Sequence, residues 1–130
     1  MNELTAGRII GKAADCLEHS KEAFERKSFE ACVNRAYYAM FHSIHALLLV
    51  SGVQTKTHVG THNRFRDIFI KTGVMDISLN TRLQRSFEKR QFGDYDYDEV
   101  AESEALESFE DATHFFEVVV RYLKENNHIK

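Results

Sequence analysis

Not one of the 130 residues is proline, and only six are glycine. Proline punctuates turns and strand edges, so a chain without it suits a few long helices joined by short loops. The apolar pattern agrees. From about Leu4 to Arg26 the residues Ile10, Ala13, Leu17 and Phe24 recur at helical spacing, which predicts a first helix with one apolar stripe. Ser28 is placed to cap a second helix carrying Cys32, Val33, Ala36, Tyr37, Met40, Phe41, Ile44, Leu47 and Leu48, with Gly52 placed to end it. That helix is apolar around more than half its circumference, so it belongs at the centre of a bundle.

Phe65, Ile68 and Phe69 predict a shorter third helix ending near Gly73. Asp76 or Ser78 is placed to cap a fourth, which bears Leu79, Leu83 and Phe87 and should stop near Gly93. The acidic, aromatic stretch from Gly93 to Glu99 reads as a loop or helix entry. A last helix, about Val100 to Glu125, should present Ala105, Phe109, Ala112, Phe116, Val119 and Leu123 on one face. The expected fold is all-α, an up-and-down bundle of four to five helices forming one domain over residues 1–130.

Cys16 and Cys32 fall within the apolar periodicity rather than in a paired motif, so they read as small core residues in a reducing compartment. The longest apolar run, Ile44 to Val50, is too short to cross a bilayer and contains His45. These features place the chain in the cytoplasm, away from membrane. A net charge of -3 argues against generic polyanion binding and leaves room for a local basic cluster.

Such a cluster occupies the middle third: His62, Arg64, Arg66 and Lys71, then Arg82, Arg85, Lys89 and Arg90. It would either contact phosphates or form a solvated face balanced by acids elsewhere. Arg35 and His42 lie nearly two turns apart on one side of the second helix and could share a phosphodiester, the histidine moving protons and the arginine stabilising charge. The alternative is an arginine paired across the bundle and a half-buried histidine. His42 with His45, and His58 with His62, have spacings compatible with metal ligation, but no Cys or Glu cluster joins them. No metal and no cofactor is therefore expected. Tyr95 and Tyr97 could stack on a base or accept a modifying group, or pack back onto the bundle.

Three elements carry a family resemblance: the run Asn34 to His42, containing Tyr-Tyr-Ala-x-Phe, with Ala46-Leu47-Leu48; Lys56-Thr57-His58; and Arg90 ahead of Asp94-Tyr95. With Phe69-Ile70-Lys71-Thr72-Gly73 between them, their order resembles a branch of the HEPN-domain family. The resemblance implies a bundle of four or five helices, often a homodimer, frequently partnered with a minimal nucleotidyltransferase antitoxin. In many members it implies a metal-independent endoribonuclease toxin acting on RNA. In those members an arginine on a late helix precedes a histidine. Here Arg90 is followed after four residues by Tyr95 instead.

By this resemblance Arg90, Asp94 and Tyr95 form the candidate catalytic element, with Arg35 and His42 secondary. Arg85, Lys89, Arg90 and Tyr97 are candidates for holding RNA or a nucleotide, and Tyr97 matches by position the tyrosine that a partner modifies in toxin members. The expected role is the toxin-like half of such a pair. The alternatives are a non-catalytic subunit presenting substrate to the transferase, or a structural dimerisation module.

Overall fold

The computed structural model describes residues 4–95 and 99–130, without the side chains of residues 91–95. Among them five α-helices and no strand are found: α1 (Ala6–Glu25), α2 (Phe29–Val50), α3 (His58–Phe65), α4 (Ile77–Tyr95) and α5 (Glu102–Glu125). A single π-helical turn, Arg66–Ile70, extends α3. No helix among the described residues is long and apolar enough to cross a membrane.

The helix ends are chemically explicit. Thr5 accepts the Arg8 N–H at 3.1 Å to start α1, Thr57 accepts the Gly60 N–H at 2.8 Å to start α3, and Asp76 accepts the Ser78 N–H at 2.8 Å to start α4. A β-carbon on Gly60 would sit 2.9 Å from the Thr57 hydroxyl, so glycine there protects that cap. Three helices stop by one device, a left-handed residue after the helix that lets the next N–H reach back to a carbonyl. Gly52 serves α2 as expected, with φ of 74°, and Val53 N–H reaches Leu48 O at 2.9 Å. Lys27 and Asn127 serve α1 and α5, with φ of 63° and 62°, where no glycine marks the stop. Ser28 sits at the N-cap of α2 without a side-chain cap hydrogen bond.

Helix α2 is central, touching α1, α3, α4 and α5. Its Ala36, Tyr37, Met40, Ile44, Leu47 and Leu48 are all buried in the main core. Leu79 and Leu83 of α4 are buried there too, and Phe87 packs against them partly exposed. The π turn widens the step after Phe65 so that Phe65 and Phe69 both point inward, stacked at 6.1 Å. Cys16 and Cys32 are free and buried.

Two expectations are corrected. The buried aromatic of α5 is Phe115, with Phe116 only half-buried. The face of α5 is shifted because it also buries Ser108 and Asp111, polar residues that an apolar stripe leaves out. Helix α4 also runs past Gly93 to Tyr95. A glycine costs about 1 kcal/mol inside a helix and does not end one by itself. Gly93, Asp94 and Tyr95 are therefore helical in backbone, whereas Asp96, Tyr97 and Asp98 lie outside the described residues.

Candidate functional site

Two consecutive tyrosines of α2 form the floor of the site. Tyr37 is buried and Tyr38 half-buried, their rings 5.3 Å apart and nearly perpendicular. Arg90 comes from α4 and lays its guanidinium 5.2 Å from the centre of each ring. One terminal nitrogen donates to the Tyr38 hydroxyl at 3.2 Å. Its Nε is buried and has no hydrogen-bond partner among the described residues. Cation–π attraction of about 0.5 to 2 kcal/mol per ring holds the group without neutralising it.

The other basic residues of α4 are placed differently. Arg82 and Arg85 both bind the buried Asp111 carboxylate, Arg82 at 2.8 Å and Arg85 through two nitrogens at 2.7 Å. Lys89 pairs with Glu107. Among the described residues, then, Arg85 and Lys89 tie α4 to α5, and the candidate binding cluster is divided. Arg90 alone of these four, among the described residues, faces rings and a hydroxyl rather than a carboxylate. The side chains of Asp94 and Tyr95, and the whole of Tyr97, lie outside the described residues.

Residues that the spacing argument set aside complete the site. His58 and His62 of α3 converge on the Tyr37 hydroxyl, His58 Nδ1 at 2.7 Å and His62 Nε2 at 2.9 Å. Phe41 stacks on the His58 ring at 4.3 Å, and Phe87 meets the His62 ring edge-on at 4.8 Å. Burial first, then the charge of Arg66 and the neighbouring His58, pushes His62 down to about 4. Burial, and then Arg90, lowers His58 as well. Burial holds the Tyr37 phenol well above its usual value, so it acts here as a neutral hydroxyl. The available signal was the four-residue spacing of the two histidines beside a tyrosine in an otherwise apolar helix.

Arg35 and His42 flank Tyr38, as their spacing suggests. The Arg35 guanidinium lies 5.1 Å from the Tyr38 ring and the His42 ring 6.1 Å from it. They open to different places, however. Arg35 hydrogen-bonds Asn34 at 2.6 Å and lines a cavity of about 530 Å³ with His19, Arg26 and Glu30. His42 lines another of about 270 Å³ with Lys12, Ile9 and His45.

Comparison with known proteins agrees with this architecture. A model of the HEPN domain matches residues 6–125. A Methanocaldococcus jannaschii protein named "Putative toxin MJ0142" is 32% identical over 95% of this chain and 84% of its own length. A second from that organism, "Putative toxin MJ0605", is 33% identical over 90% of this chain and 87% of its own. A "UPF0332 protein" of Archaeoglobus fulgidus is 34% identical over 90% of this chain and 94% of its own. With a five-helix bundle and a family model that covers nearly its whole length, the chain belongs to the HEPN domain family.

Proposed function

We propose that this protein binds the phosphate of RNA or of a nucleotide in the cleft over Tyr37 and Tyr38, and works as the toxin-like half of a pair with a nucleotidyltransferase. The observation that carries this reading is Arg90. Among the described residues it is a half-buried guanidinium held over two rings and bound to no carboxylate, while its neighbours Arg82, Arg85 and Lys89 are matched to acids. Arginine takes phosphate through two parallel donors, and the half-buried Tyr38 offers a face on which a base can stack. The toxin assignment draws support from the names of the two Methanocaldococcus relatives. Cleavage of RNA, where it occurs, would use side chains and no metal, and so would persist in chelator. Asp94, Tyr95 and Tyr97 stay in the proposal as the residues that follow Arg90 in the sequence.

Arg90→Ala tests the reading. RNA or nucleotide binding should be lost while the helical circular dichroism is kept and the melting temperature falls only by the few degrees that the lost ring contacts account for. A folded Arg90→Ala protein that binds RNA fully would refute it. A large drop in melting temperature, with binding affected only through unfolding, would favour a purely structural Arg90.

We also propose a homodimer, to which exposed apolar side chains such as Leu49, Val59 and Ile77 are available, in the cytoplasm, where the buried cysteines Cys16 and Cys32 would stay reduced. Light scattering that reports a monomer at high concentration would contradict the dimer.

A further inference from the structure

The Tyr37 hydroxyl between two imidazoles is more than packing. A phenol has one proton, so it donates to one imidazole and accepts from the other. When His58 carries protons on both nitrogens, its Nδ1–H donates to the Tyr37 oxygen. Tyr37 O–H then donates to His62 Nε2, and His62 stays neutral with its own proton on Nδ1. When His58 is neutral with its proton on Nε2, both bonds reverse: His62 Nε2–H donates to Tyr37, and Tyr37 donates to His58 Nδ1. The 2.7 and 2.9 Å contacts are satisfied in either state, so His58 can gain a proton while both bonds to the Tyr37 hydroxyl are kept. Its Nδ1 is committed to Tyr37, so Nε2 is the nitrogen that would meet a ligand.

His58 and Arg90 border the same two tyrosines. The His58 ring lies 5.7 Å from Tyr37 and 6.0 Å from Tyr38, and the Arg90 guanidinium 5.2 Å from both. The stacked Phe41 fixes the imidazole plane. We propose that His58 is a second phosphate contact opposite Arg90, and that the phosphate-bearing ligand binds together with one proton taken up by His58. This rests on the cleft reading above and adds to it a residue, a proton and a pH dependence.

The surrounding charges set the sign. In the free protein His58 is held below its ordinary value by burial and then by the Arg90 charge. His62, on the same helix, is kept neutral in part by Arg66. Tyr37, Tyr38, His42 and His45 face the cluster from α2, and burial lowers both of those histidines. A phosphate seated between Arg90 and His58 cancels the cationic repulsion and attracts the imidazolium, so the bound state holds the proton more tightly. By linkage, affinity must then rise as pH falls, by up to about tenfold per pH unit while one proton is being taken up.

Calorimetric titration of the full chain with a short single-stranded RNA, and separately with adenosine monophosphate, tests this in two buffers of different protonation enthalpy. Wild type should take up close to one proton with whichever probe binds. His58→Gln should bind about tenfold more weakly without uptake, and Arg90→Ala should not bind. If wild type binds, Arg90→Ala does not, and wild type takes up no proton or His58→Gln equals it, the role of His58 is overturned while the cleft stands. If Arg90→Ala binds like wild type, or wild type binds neither probe, the cleft itself is wrong and this inference falls with it. Should His58→Gln fail to fold, the His58 titration followed by NMR in wild type decides: an upward shift on adding the probe supports the proposal, and an unchanged titration overturns it.

Discussion

Replacing Tyr37 by phenylalanine removes one oxygen and leaves the ring, so it isolates the hydroxyl that joins α2 to α3. Two imidazole nitrogens lose their partner. His58 is half-buried and can be rehydrated, but His62 is only 3% exposed, so its Nε2 is left unpaired in the interior. A buried polar group without a partner costs about 1 to 3 kcal/mol, which places the expected loss near 2 kcal/mol. At about 2.1 cal/mol/K per residue, a chain of 130 residues unfolds with an entropy of about 0.27 kcal/mol/K, so the melting temperature should fall by about 7 °C.

Tyr38→Phe is the matched control. Among the described residues its hydroxyl makes one hydrogen bond, accepting from Arg90 at 3.2 Å, and sits on a half-buried residue, so the loss should stay under about 1 kcal/mol. Differential scanning calorimetry of both variants reads the difference directly. Equal melting temperatures, or a Tyr37→Phe loss under about 0.5 kcal/mol, would refute the idea that the hydroxyl bridges the two histidines.

Two further outcomes follow from the same geometry. Asp111→Asn should cost about 3 kcal/mol in urea unfolding, because the carboxylate is 2% exposed and holds two guanidiniums. A loss under about 0.5 kcal/mol would show that solvent already carries those arginines. Acid should also destabilise the fold through its buried histidines. His62 is near 4 folded and ordinarily 6.5, so the unfolded chain binds its proton first as pH falls. Its contribution is fully present above about pH 6.5, drains away toward pH 4, and totals on the order of 3 kcal/mol, with His42, His45 and His58 acting in the same direction. Urea midpoints across this interval should decline, and less so in His62→Gln. Midpoints that stay flat would contradict a buried neutral His62.

The helices were legible because their signals are local. The uniform apolar coat of α2 is visible from Cys32 to Leu48, and so are Gly52 at its end and Asp76 at the start of α4. Lys27 and Asn127 left no such mark, since a left-handed stop needs only a residue that tolerates it. The basic run on α4 shows where composition misleads. Arg82, Arg85 and Lys89 read as a phosphate face until Glu107 and Asp111, four residues apart on α5, are laid against them. That complementary spacing was present in the sequence, but which helix faces which is a tertiary fact. Arg90 was singled out by its place ahead of Asp94-Tyr95, whereas its neighbours in the fold, Tyr37, Tyr38 and His58, lie more than thirty residues away. No periodicity within one helix could join them.

In the proposed complex RNA lies across Tyr38, between Arg90 and His58. Photo-crosslinking places a ligand most directly: a short single-stranded RNA carrying a photoreactive uridine is irradiated with the full chain, and the adduct is located by peptide mass spectrometry. Adducts are expected on the peptides containing Tyr38 and His58, and should be lost in Arg90→Ala. Adducts confined to the cavity beside His19 and Arg26, or undiminished in Arg90→Ala, would contradict this placement.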